Sequence, residues 1–175
     1  MNFREMLFVG LAVVVSAIAV AEDVAKGQTS AASAMFERLK SLQGEWQAQL
    51  TDMGKVRASY RLVAGGSALE EHFTGDKIPG GEMITLYHLD GDRLLLTHYC
   101  AAQNQPRMLA RRIDPAKGEV DFTFLDATNL ASPKAGHMHN ARIQLVDADH
   151  FSSQWEFFEN GKLKNTESTQ YTRVR

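Results

Sequence analysis

The feature that most constrains this chain is a run of strand-like segments separated by short turn sequences. They follow Gly44 at intervals of about ten residues, with turn chemistry such as Gly65-Gly66, Asp90-Gly91 and Asn160-Gly161 between them. We predict strands near 44–52, 55–63, 67–74, 82–89, 92–100, 106–113, 119–126, 137–147, 149–158 and 162–173. No helical segment separates them, which excludes a parallel α/β fold. Because an open meander would leave long exposed edges, we predict an all-β, up-and-down antiparallel β-barrel of about ten strands.

One short helix is predicted before the first strand. Ser33 is a suitable N-cap, Gly44 ends the segment, and apolar residues recur between them at helical spacing: Met35, Phe36, Leu39 and Leu42. The small, polar residues 22–32 are typical of a disordered lead. We therefore place a single β-barrel domain at residues 33–175.

The N-terminus has the layout of a secretory signal peptide at residues 1–21. Arg4 precedes an apolar run from Met6 to Val20, and Ala19 and Ala21 supply the small residues that a cleavage site needs. The run is shorter than the ~20 apolar residues of a membrane-spanning helix. We expect an exported protein, secreted or periplasmic, with no stable membrane span after the signal peptide is cleaved.

Composition argues against nucleic-acid binding and against stabilisation by a disulfide. The formal net charge of −2 lacks the basic excess of a nucleic-acid-binding protein. A single cysteine, Cys100, excludes an internal disulfide. Stability must therefore come from burial and strand pairing.

Strand alternation predicts which side chains face the barrel interior. Leu94 and Leu96 share a face with His98, and Ile143 shares a face with His139. We therefore expect an inward set, provided that no bulge shifts the register: His98, Cys100, His137 and His139. A second set lies near strand ends and is expected to be exposed: Glu70, Glu71, His72, Tyr87 and His88.

The segment from Leu94 to Met108 is dense in side chains that bind ligands. An arginine fork at Arg107, preceded by several amides, suits a carboxylate or another planar acceptor on a small molecule. The alternative is an ordinary turn with Arg107 paired on the surface. We predict that the following residues bind the ligand: His98, Tyr99, Asn104, Arg107 and His139.

Three other chemistries use the same residues. His137 and His139, two apart on one strand, and His98 from another strand could hold a divalent metal ion, with Cys100 as a softer ligand. A non-covalent haem on a single histidine is a second possibility, with aromatic walls from Phe122, Phe124 and Trp155. A Cys100–His98 nucleophilic pair is the third. It would need an electropositive setting and an orienting group, neither of which the sequence indicates. No catalytic residue is assigned.

Gly44-Glu45-Trp46 resembles the Gly-x-Trp motif that opens the first strand of lipocalins and related calycin barrels. Tyr171-Thr172-Arg173, at the end of the last strand, is similar to the terminal arginine segment of the same superfamily. The resemblance implies a barrel in which Arg173 stacks on Trp46, so that Gly44, Trp46 and Arg173 are structural. The lack of disulfides fits the smaller, ten-stranded calycins better than many secreted lipocalins.

Three further segments resemble an uncharacterised family of exported bacterial proteins: Thr97-His98-Tyr99-Cys100, Asn104-Gln105-Pro106-Arg107-Met108 and His137-Met138-His139. That resemblance implies an exported barrel and carries no activity. We expect an exported protein that holds a small, partly apolar molecule in its lumen. The alternatives are a haem binder or a metal- or haem-dependent enzyme using His98, His137 and His139, and a non-catalytic structural or interaction module of the cell envelope.

Overall fold

The computed structural model describes residues 30–50, 53–78 and 80–175. Within them, helix α1 (Ala31–Leu39) continues into a 3-10 turn at Lys40–Leu42 and is followed by ten strands. The strands are β1 (Gly44–Leu50), β2 (Gly54–Val63), β3 (Ala68–Gly75), β4 (Glu82–Asp90), β5 (Arg93–Tyr99), β6 (Gln105–Asp114), β7 (Glu119–Thr128), β8 (His137–Leu145), β9 (His150–Glu159) and β10 (Lys162–Arg173). The predicted signal peptide and residues 22–29 of the predicted lead lie outside the described residues.

The strands form one closed antiparallel barrel. Each pairs with its neighbours in the chain, and β1 pairs with β10 through Trp46 opposite Arg173 and Gln47 opposite Thr172. This confirms the predicted up-and-down barrel, and strand boundaries agree with the prediction to within two residues. No helix in the described part of the chain is long and apolar enough to cross a membrane.

The helix begins before the predicted cap at Ser33. Ser30 is the N-cap, and its hydroxyl accepts a hydrogen bond from the backbone N–H of Ser33 at 3.1 Å. Ser30 has the same capping chemistry as Ser33, and the two alanines after it are strong helix formers. Residues 30–32 therefore belong to the domain and not to a disordered lead.

Helix α1 closes one end of the barrel. Its buried face, which includes Met35, Phe36 and Leu39, packs into the same core cluster as Trp46 and Phe151. The opposite end, called the distal end below, carries the connections β1–β2, β3–β4, β5–β6, β7–β8 and β9–β10. The helix covers one end of the barrel, and the distal end is formed by the strand connections and their side chains.

Arg173 joins the helix end to the last strand. Its guanidinium lies 4.0 Å from the centroid of the Trp46 ring and donates to the carbonyl oxygens of Ser41, Gln43 and Ala148 at 2.8–2.9 Å. Gly44 has φ +118°, and a Cβ there would lie 3.0 Å from the Arg173 Nη1. A side chain at position 44 would therefore compete with the arginine for the same space.

Candidate functional site

The predicted ligand residues lie toward the distal end but do not converge on one point. His98 is near the end of β5, Arg107 near the start of β6, and His139 near the start of β8. His98 is buried in the barrel, His139 forms a separate cluster, and Arg107 is exposed. The barrel thus has two candidate sites, one in the lumen around His98 and one at the distal end around His139.

Four polar side chains form a row across four neighbouring strands in the lumen. Tyr60 on β2 is opposite Glu71 on β3, Glu71 is opposite Thr85 on β4, and Thr85 is opposite His98 on β5. All four are buried, with at most 5% of each residue exposed. We call Tyr60, Glu71, Thr85 and His98 the polar row.

Glu71 is the centre of the polar row. It accepts a hydrogen bond from the Tyr87 hydroxyl at 2.7 Å. Burial raises the pKa of Glu71, and the hydroxyls of Tyr87, Tyr60 and Thr85 oppose the rise. Burial also raises the pKa values of Tyr60 and Tyr87, so both remain neutral donors.

The expectation that Glu71 and Tyr87 are exposed is wrong. Glu71 has the strand parity of Leu69, which is fully buried, so alternation along β3 already placed its side chain inside. The general rule that carboxylates lie on the surface fails here because hydroxyls on adjacent strands satisfy the carboxylate. The inward parity of Glu71 is the sequence signal that could have identified this residue.

His98 ends the polar row and has one unused nitrogen. Its Nδ1 is hydrogen-bonded to Thr85 Oγ1 at 3.0 Å, and its ring centroid lies 4.9 Å from that of Trp155. Its Nε2 is buried and has no hydrogen-bond partner among the described residues. Burial lowers the pKa of His98 to about 4, so the imidazole is neutral at physiological pH.

Four small side chains are buried in the barrel wall beside the larger residues of the core cluster. The buried set is Ala58 on β2, Ala141 on β8, Ser153 on β9 and Thr169 on β10. Ser153 and Thr169 both hydrogen-bond to Tyr171, whose pKa burial raises. The barrel interior therefore combines the polar row on β2–β5 with these four small residues and the large apolar side chains of the core cluster.

A second cluster is the histidine pair, His137 and His139, at the start of β8. His137 Nδ1 donates to the Ala135 carbonyl at 2.8 Å, and His137 Nε2 lies 3.0 Å from His139 Nδ1. A carbonyl only accepts, so in the neutral pair His137 Nε2 is the acceptor for the His139 Nδ1 hydrogen. The His139 Nε2 is then left with an open lone pair.

Aromatic rings hold His139 in place. Its ring stacks on Phe124 and Phe158, with centroid distances of 4.9 and 4.3 Å. These rings and the histidine pair line a cleft of about 470 Å³, which we call the distal cleft, together with Leu125, Leu130 and Pro133. Burial and the neighbouring His137 lower the pKa of His139, while Glu156 opposes the shift. The cleft is mainly apolar, with one imidazole nitrogen available to a ligand.

The expectation that the histidine pair points into the lumen is wrong. The register between β8 and β9 shifts between Met138 and Asn140, and it is Met138 that packs against the core cluster. Since neighbouring residues of a strand point to opposite faces, His137 and His139 lie on the other face of β8. His98 is therefore not brought together with them. Within residues 30–50, 53–78 and 80–175, no three side chains of the metal-binding types are grouped to hold an ion.

The remaining predicted residues are not gathered around a common site. Arg107 is exposed and forms a bidentate ion pair with Asp126. This is the surface pairing that the sequence analysis gave as the alternative to ligand binding. Asn104 is buried and donates to the Gly136 carbonyl at 2.8 Å, tying the β5–β6 connection to the start of β8. Tyr99 is 46% exposed. Burial raises the pKa of Cys100, so its thiol is the less reactive, protonated form.

The fold defines the class as a closed ten-stranded antiparallel barrel with one end covered by a helix. A similar solved structure is a protein with unknown function from the DUF3598 family of Nostoc punctiforme PCC 73102, with a TM-score of 0.52 and 13% sequence identity. The similarity covers 78% of this chain and 49% of that one, so this chain spans about half the length of its structural neighbour. At this identity the likeness concerns the fold alone. No protein-family model and no curated protein matches the chain.

Proposed function

We propose that this protein is an exported, calycin-like barrel that binds a small, partly apolar molecule in its lumen. The observation that carries the proposal is the buried, unpartnered Nε2 of His98. Buried polar atoms in folded proteins are nearly always hydrogen-bonded, and an unsatisfied one costs about 1–3 kcal/mol. A ligand whose polar group meets this nitrogen removes that cost.

The lumen's composition supports binding over a purely structural role. A barrel core that serves only stability is best filled with apolar side chains, because each buried polar group must find a partner. Here a carboxylate, an imidazole and several hydroxyls lie inside, and small residues such as Ala141 and Ser153 occupy other inward positions. This combination is typical of a site with a few placed polar groups and an apolar remainder.

Export is part of the proposal and has its own test. The full-length precursor would be produced in a bacterial host, and the mass of the protein in the envelope and culture fractions would be measured. Cleavage after Ala21 and recovery outside the cytoplasm are expected. An uncleaved protein found in the cytoplasm would contradict export.

Native mass spectrometry tests the binding function directly. The protein purified from its exported compartment would be compared with His98→Gln and with His150→Gln, an exposed control. We expect a small-molecule adduct on the wild type and on His150→Gln, with lower occupancy on His98→Gln. A wild type without adduct, with no thermal shift in a screen of small molecules, would refute the proposal and favour a non-catalytic envelope module.

The distal cleft favours a second candidate, a protein that binds haem or a metal ion through His139. An imidazole that donates its Nδ1 hydrogen and keeps Nε2 open is the arrangement of histidine ligands to metals. An absorption spectrum and metal analysis of the same preparation would test it. A Soret band or metal lost in His139→Ala but retained in His98→Gln would support this candidate over lumen binding.

A further inference from the structure

The distal cleft lies where β7 and β8 separate. The pairing of these strands runs from Glu119 opposite Gln144 to Thr123 opposite Asn140. Nearer the distal end, β7 pairs with β6 and the start of β8 pairs with β9. The two strand ends and the β7–β8 connection supply most of the residues that line the cleft, and none of the lining residues belongs to the polar row. The cleft is therefore a cavity separate from the surroundings of His98.

Hydrogen bonds hold the β7–β8 connection in place beside the cleft. The backbone N–H of Asn160 donates to the carbonyl of Lys134 at 2.8 Å, which ties the connection to the β9–β10 turn. The side chain of Asn104 donates to the carbonyl of Gly136, also at 2.8 Å. The walls of the cleft are therefore fixed by contacts within the fold.

His139 presents the polar edge of its ring to the cleft. The rings of Phe124 and Phe158 stack against the imidazole with interplanar angles of 12° and 23°. The Nδ1 of His139 lies 3.0 Å from the Nε2 of His137. The faces of the imidazole and its Nδ1 thus have partners in the protein, and Nε2 is the polar atom left for a ligand.

The positions of the hydrogens in the histidine pair follow from these contacts. His137 Nδ1 donates to the Ala135 carbonyl, which only accepts, so in the neutral pair His137 Nε2 accepts the Nδ1 hydrogen of His139. Burial and the neighbouring His137 lower the pKa of His139, so this imidazole is neutral near pH 7 and has one N–H. The Nε2 of His139 is therefore an acceptor without a hydrogen.

We propose that the distal cleft binds a small aromatic molecule that donates a hydroxyl or N–H hydrogen to Nε2 of His139. The body of such a ligand is buried against the apolar walls, which include Phe124, Leu130 and Phe158. Its donor extends the chain of hydrogen bonds that runs from His139 through His137 to a backbone carbonyl. This site does not rest on ligand binding in the lumen.

A metal ion would compete for the same lone pair of His139. Within the part of the chain that the structure describes, no three side chains of the metal-binding types are grouped to hold an ion. A single imidazole nitrogen among apolar walls suits an organic donor better, because a stable metal site needs several protein ligands.

The compounds p-cresol and p-xylene test the proposal, because they have nearly the same shape and only p-cresol has a donor. The protein would be treated with a chelator, checked by metal analysis and titrated with each compound while histidine ¹⁵N NMR signals are recorded. We expect p-cresol to shift the Nε2 signal of His139 and to bind about tenfold more tightly than p-xylene, the effect of one hydrogen bond.

His139→Phe is the matched variant, since it keeps a ring beside Phe124 and Phe158 and removes both nitrogens. We expect it to bind p-xylene as the wild type does and to bind p-cresol no more tightly than p-xylene. His98→Gln and the exposed control His150→Gln should keep the wild-type preference for p-cresol.

Several results would overturn the proposal. They are equal binding of the two compounds by the wild type, binding of neither, and a preference that persists in His139→Phe. A hydrogen on Nε2 of His139 near pH 7 would also overturn it. If p-cresol shifted only the signals of His98 and Trp155, the ligand would lie in the lumen and the distal site would be refuted. If His139→Phe does not fold, the Nε2 signal of the wild type still decides.

Discussion

Replacing His98 should change how the protein's stability depends on pH. The imidazole is fully buried, and burial lowers its pKa from the ordinary 6.5 to about 4. In the unfolded chain it titrates near 6.5, so between these values the unfolded state binds the proton and the folded state does not. His98 therefore makes the wild type less stable as the pH falls from 6.5 to 4.

The size of the effect follows from the shift. Each pKa unit corresponds to about 1.4 kcal/mol, so the wild type should lose about 3 kcal/mol through His98 between pH 7 and pH 4. Glu71 acts in the opposite direction, since its raised pKa favours the folded state as pH falls. Glu71 is present in both proteins, so its contribution largely cancels when the wild type is compared with His98→Gln.

Urea unfolding at several pH values measures the difference. The free energy of unfolding of His98→Gln relative to the wild type should rise by about 3 kcal/mol between pH 7 and pH 4. His150→Gln, which removes an exposed histidine, should keep most of the wild-type dependence. A difference between the wild type and His98→Gln that stays constant over this range would refute the neutral, buried His98 and the reasoning on the polar row.

Three further predictions concern the ends of the barrel. Arg173→Ala removes the cation over Trp46 and three hydrogen bonds to carbonyls, and should lower the urea-derived stability by about 2 kcal/mol; an unchanged midpoint would contradict its role as a seal. Gly136→Ala would place a Cβ 2.6 Å from the Phe157 ring, so we expect a loss of about 1–3 kcal/mol in thermal unfolding and shifted Phe157 ring signals. Arg107→Ala breaks only an exposed ion pair and should cost less than about 1 kcal/mol without changing ligand occupancy in native mass spectra; a loss of ligand would return Arg107 to the binding site.

The sequence was sufficient to predict the barrel because the patterns that define its strands and turns are local. Alternation with period two and glycine-containing turns determine where strands lie, and the number of successive strands makes closure the simplest way to remove edges. The start of the helix was less certain, since Ser30 and Ser33 have equal capping chemistry. The structure places the cap at Ser30, and Ala32, in the added first turn, is buried in the core.

The candidate sites depend on register, which one strand alone does not reveal. The bulge after Met138 turns His139 away from the core, and nothing in the sequence of β8 marks it. The polar row arises because Tyr60, Glu71, Thr85 and His98 are matched across three strand pairs. The sequence indicated an inward His98 but not the partners that hold it.

The arrangement of polar groups around the barrel favours the proposed binding lumen over a filled core. A one-residue slip of β3 would turn Glu71 outward and bury Glu70 or His72, neither of which has inward partners, so the polar row also specifies the register. Fixing the register needs only the contact between Thr85 and the Nδ1 of His98. The second ring nitrogen of His98, Nε2, is nevertheless buried and has no hydrogen-bond partner among the described residues. A leucine at position 98 would fill the space without burying a polar atom, so the proposed lumen ligand is our explanation for an imidazole at this position.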